Sequence, residues 1–339
     1  MKIVELITLP GNQYHFGEIL PQAEEQHMNV VTPHPSSDLL FSAMVNIWQK
    51  VYGDATQLIN SFETDLIRLS SAFFFIGNKE QKRLRFLPKP VVANLKSTDQ
   101  HKKLKRIAYV SEAIINQGVL PDQWFNPDCC TLLEGNLLCL NEELSHIKVD
   151  KISVYKEVTI PKVKVHTLEK ENRLYSQSNI LFPPEEDSQI EKGYYFYLEE
   201  NLPPDEQEKF MAVLNLMADE GLGGDRSSGC GLFKEVRITE APALTETSDY
   251  YLSLSLINPA KEEQHAFLYY PIVTRGGRRI NSHQRLKMVN MVGEGAILSQ
   301  KIAGRIVDIS PNNDGRYKRY GKAFLYPLNT NIEQLWKEV

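Results

Sequence analysis

Residues 221–233 read GLGGDRSSGCGLF and place five glycines, an arginine and two serines in thirteen positions. The glycines are Gly221, Gly223, Gly224, Gly229 and Gly231. Without Cβ atoms, their backbone N–H groups can approach an anion closely and take positive φ. Arg226 adds a fork of donors that matches phosphate, and Ser227 and Ser228 add hydroxyls. Gly224 and Gly229 have the spacing of a phosphate-cradling P-loop. That motif needs lysine and a hydroxyl residue after the second glycine, and it joins a strand to a following helix. Here Cys230 and Gly231 follow, and the flanking patterns run helix, loop, strand. Nucleotide hydrolysis is excluded on both counts. The dinucleotide pattern GxGxxG fails because Arg226 interrupts it and the flanks are again wrong. Two readings remain: a grip on a nucleic-acid backbone, which positions without reading sequence, or a turn that uses glycine for tight packing.

Charge favours the first reading. The chain of 339 residues carries a net −5, which does not mark a nucleic-acid binder, but the charges are unevenly spread. Residues 79–106 hold ten Lys/Arg against Glu80 and Asp99, and residues 273–287 hold five Lys/Arg and no acid. The expected RNA contacts outside the loop are Lys89, Lys102, Lys103, Lys105 and Arg106 from the first run, with Arg275 and Arg278 from the second. Solvated loops are the plain alternative for either run.

Other chemistries find less support. A histidine base for metal-independent RNA cleavage has candidates in His15, His27 and His34, since imidazole can deprotonate a 2′-hydroxyl near neutral pH. None has a lysine or tyrosine partner visible in the sequence. Metal-dependent nucleases need clustered carboxylates; the acids at 185–187 and 199–200 fit a solvated loop and a helix lead-in. Cys129, Cys130, Cys139 and Cys230 form no CxxC pair, so reduced thiols in a cytoplasmic protein are expected. A zinc site from Cys129, Cys130, Cys139 and His146 would require adjacent cysteines on one ion, which structural zinc sites rarely use. No cofactor and no metal are expected. No apolar run reaches the roughly 20 residues that span a bilayer, and the start MKIVELITLP lacks the form of a signal peptide.

The elements that must position the loop follow from periodicity. KIVELITL (2–9) alternates as a strand with Ile3, Glu5, Ile7 and Leu9 on one face. SSDLLFSAMVNIWQKVYG fits a helix with Ser36 or Ser37 as cap, Asp38 at its positive end, and an apolar stripe of Leu40, Ala43, Met44, Ile47 and Val51. Gly53 stops it. LIRLSSAFFFIG (66–77) reads as the next strand. A β-rich stretch near 151–175 places Val163 and Val165 opposite Lys162, Lys164 and His166, giving a strand with one basic face. GYYFYLEE is a strand, and PPDEQEKFMAVLNLMADEG is a helix with Phe210, Val213, Leu214 and Met217 on one side and Gly221 as its cap. LFKEVRITE closes the series. The order is strand, helix, strand, insertion, strand, helix, strand. This predicts an α+β protein with a ferredoxin-like βαββαβ core. Residues 1–240 form that domain, with a basic insertion at about 78–192 and the glycine-rich loop at 221–231. Residues 241–339 are expected to form a second, degenerate ferredoxin-like unit, β-rich and less regular.

The ordered set of segments HFGE (15–18), SSDLLFSAMVN (36–46), IPKVKVHTLEKENRLY (160–175), the glycine loop, and YYPIVTRGGRRI through YKRYGKAFLYPL resembles the RAMP superfamily (repeat-associated mysterious proteins) of CRISPR–Cas systems. Within it, the chain is most similar to the fourth-subunit family of the type III-A Csm effector complex, almost end to end. The resemblance implies a non-catalytic antiviral-defence subunit that grips the repeat-derived 5′ tag of CRISPR RNA (crRNA). It implies contacts with the large signalling subunit and a backbone RAMP subunit at the base of the complex. It also implies a projecting hairpin, for which the basic stretch 79–106 is the expected place. Members of the family often carry His-Ser-Asp at the first helix start. This chain has Ser36-Ser37-Asp38, with His34 as the nearest histidine. The alternative activity is that of related RAMP endoribonucleases that process the precursor RNA.

Overall fold

The first strand, β1 (Lys2–Thr8), is buried along nearly its whole length, because strands flank it on both sides. The structure, a computed structural model, describes residues 1–17, 31–79, 83–91, 98–145, 147, 153–164, 173–184, 189–242, 244, 248–277 and 284–329. Glu5, expected on a mixed face, is only 2% exposed. Its carboxylate accepts from Arg85 at 2.8 Å, with Arg83 and Arg237 at 3.7 and 3.8 Å. A buried carboxylate needs such partners.

β2 (Gln13–Tyr14) leaves β1 and leads, beyond His34, to helix α1 (Ser37–Tyr52). Leu40, Met44 and Ile47 of the expected stripe are buried, with Phe41 and Trp48 beside them, but Ala43 is only partly buried and Val51 in the last turn is 50% exposed. Gly53 stops the helix with φ 82° and donates its N–H to the Gln49 carbonyl. The serines do not act as the expected side-chain cap. Ser36 occupies the cap position, but its hydroxyl donates to Asp38 at 2.5 Å. After α2 (Thr56–Glu63), the predicted strand 66–77 is split into β3 (Ile67–Leu69) and β4 (Phe73–Asn78). Both pair with the same later strand. The break falls at Ser70 and Ser71, whose hydroxyls engage Tyr197 N–H, Ser37 N–H and Glu294.

The insertion is woven into this sheet. β5 (Leu84–Pro88), α3 (Thr98–Arg106), β6 (Tyr109–Ser111), α4 (Glu112–Asn116), β7 (Cys130–Leu133) and β8 (Leu137–Leu140) come first. β9 (Lys156–Lys164) and β10 (Arg173–Leu181) follow as a nine-residue antiparallel ribbon. The basic stretch 79–106 therefore supplies a buried sheet strand and a helix, and the long ribbon lies at 156–181. The apolar residues of 84–87 decide this, because Leu84, Phe86 and Leu87 are at most 3% exposed. Then come β11 (Ile190–Glu200), α5 (Pro204–Glu220) and β12 (Phe233–Glu240).

The main sheet runs β12-β1-β11-β4-β5-β6-β8-β7. The first four strands are mutually antiparallel, with α1 following β1 and α5 following β11. β2 pairs with β10 and so ties the ribbon to the end of β1. α1 packs beside α5.

Residues beyond 248 form short strands: β13 (Tyr251–Ser253), β14 (Phe267–Tyr269), β15 (Ile272–Arg275), β16 (Val289–Val292), β17 (Ile297–Leu298), β18 (Val307–Asp308), β19 (Lys318–Arg319) and β20 (Leu325–Pro327). They make three small sheets. The expected second ferredoxin-like unit would need two helices. Among the described residues of this region, the helical structure is a six-residue 3-10 segment, Lys261–Ala266. The region has a small apolar cluster of its own, with Ile257, Ala266, Val292 and Leu298 in it, but shares the larger core as well. Leu252, Leu254, Tyr320, Phe324 and Tyr326 join the core of the first 240 residues. Tyr320 lies between Phe41 and Phe62 at centroid distances of 5.7 Å from each. Among the described residues, no helix is long and apolar enough to cross a membrane.

Candidate nucleic-acid interface

The glycine loop begins where α5 ends and delivers the chain into β12, beside β1. Packing demands glycine at three of its positions, Gly221, Gly223 and Gly231. Gly223 has φ +87°, and a Cβ there would meet the His15 carbonyl at 2.4 Å. Gly231 has φ +85°, and a Cβ would meet the Leu222 carbonyl at 2.3 Å. The loop is clamped onto the β2 segment: Gly224 N–H donates to His15 O and Gly231 N–H to Gln13 O, both at 2.8 Å. Leu222 N–H closes the loop on Gly231 O at 3.0 Å. The amides of Gly224 and Gly231, expected to face phosphate, are thus used inside the protein, so this part of the phosphate-cradle reading is corrected. Tight packing explains Gly221, Gly223 and Gly231; beside Gly229 (φ +86°) there is open space.

What the loop presents outward is its tip. Arg226, Ser227 and Ser228 form one exposed 3-10 turn between Asp225 and Gly229, both in the left-handed region. Asp225 fastens the tip to the ribbon. Its carboxylate ion-pairs with Lys162 of β9 and accepts from Gln177 of β10 at 2.7 Å. Burial alone would raise this carboxyl, but the bonds from Lys162 and Gln177 hold it below the usual range. Tyr175 is the register partner of Lys162, so both side chains share the ribbon face that looks at the loop.

Between α1 and the loop lies a cleft of about 520 Å³. Ser42, Asn46 and Lys50 line one wall, Gly221–Gly224 and Arg226 the other, with His15 and Phe16 between. His15 Nδ1 is 2.9 Å from the Ser178 carbonyl of β10. Lys50 and Arg226 both engage Glu220, the last residue of α5.

The other expected contacts separate. Lys102, Lys103, Lys105 and Arg106 are exposed on α3. α3 leads into β6, and β6 lies five strand spacings from β12, which is about 24 Å at roughly 4.8 Å each. They form a surface apart from the loop. Lys89 is not a free cation: its ammonium donates to the Leu104 carbonyl of α3 at 2.7 Å, and burial lowers its pKa. Arg275 is structural, bonded to Ser36 at 3.0 Å and to both Asp38 oxygens at 3.1 Å. Arg319 joins it on Asp38. Burial would raise the Asp38 carboxyl, but the two guanidiniums outweigh it and hold it well below the usual range. Arg278 lies outside the described residues, as do His27 and His146.

His34 is also engaged in the fold, 2.6 Å from the Tyr109 hydroxyl and 3.6 Å from Glu294. Among the described residues no three His, Cys, Asp or Glu side chains group as metal ligands. Burial pushes the Cys130 thiol up to about 12.

Sequence reasoning missed Ser42, Asn46 and Lys50 as one polar row. Their spacing of four on the face opposite Leu40 and Met44 was a usable signal. It passed over Asp225 and Gln177, whose roles depend on the ribbon lying against the loop.

Comparison with known proteins agrees with this architecture. The family described as CRISPR Csm4 C-terminal domain matches residues 246–328. A protein of Methanocaldococcus jannaschii described as CRISPR system Cms protein Csm4 is 30% identical over 358 residues, covering 93% of this chain and 90% of that protein. The fold is similar to that in a crystal structure of a Csm3–Csm4 subcomplex of the type III-A CRISPR–Cas interference complex. The TM-score is 0.67 at 22% identity, covering 97% of this chain and all of the other. A Csm1–Csm4 cassette in complex with pppApA gives a TM-score of 0.54 at 16% identity, over 98% and 99% of the two chains.

Proposed function

Since the chain belongs to the Csm4 family of RAMP subunits of CRISPR Csm complexes, we propose that it is a non-catalytic subunit that grips the 5′ tag of crRNA along its glycine-loop tip, the α1 cleft and the β9–β10 ribbon. The observation that carries this is the bond set of Asp225. It joins the loop tip to the ribbon through Lys162 and Gln177, so exposed Arg226, Ser227 and Ser228 stand beside Tyr175 and the mouth of the cleft. Guanidinium and hydroxyls suit phosphate, and an aromatic ring suits an unstacked base. The grip is made by side chains at the tip, because packing uses the inner loop amides. The four antiparallel strands β12-β1-β11-β4 with α1 and α5 are read as a ferredoxin-like core that holds this surface. The α3 cations serve as a second polyanion contact.

The Csm3–Csm4 and Csm1–Csm4 structures support a second role, docking a large subunit and a backbone subunit on other faces of this chain. The grip is proposed to be without cleavage: His34 finds a tyrosine partner in Tyr109 but does not line the cleft, and His15, which does, has its Nδ1 engaged with the Ser178 carbonyl. Anisotropy with labelled crRNA tests the reading. Arg226→Gln is expected to weaken binding about threefold to tenfold and flatten the salt slope by about 0.7. Unchanged affinity with an intact fold would remove the loop from the site. Incubation with repeat RNA in EDTA is expected to leave the RNA whole. Site-specific cleavage that His15→Ala abolishes would make the chain an endoribonuclease instead.

A further inference from the structure

Glu220 ends α5 at the mouth of the cleft. Its carboxylate pairs with Lys50 from the α1 wall and lies 3.7 Å from Arg226 Nη1 on the loop wall. The same guanidinium nitrogen donates to the Glu220 carbonyl at 3.2 Å. One carboxylate therefore holds two cations that approach the cleft from opposite sides. Helix stability does not explain an acid here, because the C-terminal end of a helix disfavours negative charge. The pairing is also weak: the side chains of Lys50, Arg226 and Glu220 are 58%, 44% and 34% exposed, and ion pairs this open to water exchange readily. To a guanidinium fork, two carboxylate oxygens and two phosphate oxygens are alike in charge and geometry.

Resting on the reading that RNA runs along the loop, we propose that Glu220 is an affinity-limiting residue, a built-in substitute for phosphate that occupies Lys50 and Arg226 until an RNA phosphate displaces it. Displacement weakens the binding of every polyanion by the same factor. An RNA regains the loss by placing a nucleotide in the cleft, against Ser42 and Asn46 and the apolar surface of Leu39, Ala43 and Ile47. A polyanion without bases does not. Glu220 thus sets the affinity that a base contact in the cleft must make up.

The test uses the full chain, with a labelled oligouridine of about 16 nucleotides and with heparin as a competitor lacking bases. Glu220→Gln is expected to bind oligouridine about threefold to fivefold more tightly, with a steeper salt dependence. Its affinity for heparin should rise by the same factor. Asp219→Asn, which removes an exposed neighbouring acid, should change affinity by less than half as much. In an Arg226→Gln background the gain from Glu220→Gln should shrink to the part that comes from freeing Lys50. Equal or weaker binding by Glu220→Gln would overturn the proposal, as would an equal gain from Asp219→Asn. If Arg226→Gln by itself leaves oligouridine binding unchanged, the loop reading fails. If it weakens binding while Glu220→Gln brings no gain, only the role of Glu220 fails.

Discussion

Replacing Asp38 by Asn takes a negative charge from between two largely buried guanidiniums. Asp38 is 5% exposed and Arg319 8%. Arg275 reaches both carboxylate oxygens at 3.1 Å, and Ser36 donates to one of them. If Asp38 served only the positive end of α1, its removal would cost about 0.3–1 kcal/mol. As the shared partner of two buried cations, its removal should cost about 3–5 kcal/mol. That corresponds to a fall in melting temperature of roughly 4–7 °C for a chain of 339 residues. The pH dependence gives an independent check. The folded carboxyl is held below its unfolded value of about 3.9, so its contribution is fully present above that pH and is lost as pH falls through the folded value. The gap between wild type and Asp38→Asn should be constant from about pH 5 to 8 and narrow below about 4. Denaturant and thermal unfolding across this range measure it. A loss under about 1 kcal/mol at neutral pH, or a gap that does not narrow in acid, would refute the two-guanidinium account.

Two further outcomes follow from the loop and from the corrected lysine. Gly231→Ala meets both a left-handed backbone and a carbonyl at 2.3 Å, so it should destabilise by more than about 2 kcal/mol; Gly229→Ala meets only the backbone strain, about 1–2 kcal/mol, and equal denaturation midpoints would contradict the packing account. Lys89→Met should lose about 1 kcal/mol with its bond to Leu104 and leave RNA affinity unchanged, and a marked loss of affinity would return Lys89 to the binding surface.

Local pattern was enough for much of the architecture. The stripe on α1, the stop at Gly53, the α5 face and the cap at Gly221 are all repeats of 3.6 residues closed by glycine, and such signals are carried by neighbours in the chain. The ordered segments likewise pointed to the right family. The alternation at Lys162 and Val163 marked one strand of the ribbon, while the projecting hairpin was expected at 79–106 instead. The place of the ribbon against the loop was not legible, because it depends on β2 pairing with β10 across more than 160 residues.

The amino-acid sequence by itself determined that a glycine loop follows the second long helix, that it lacks the residues of an ATP site, and that basic charge is concentrated in two runs. Tertiary structure alone decided which charges are available. Lys89 and Arg275 look like free cations in a linear chain, yet folding directs them to Leu104 and Asp38. Glu5 looks like a surface acid, yet it lies in mid-sheet among arginines. The physical reason is the same in each case. Burying a charge in low dielectric is tolerable only beside a partner, and the partners lie up to about 240 positions away along the chain, as Arg275 does from Asp38.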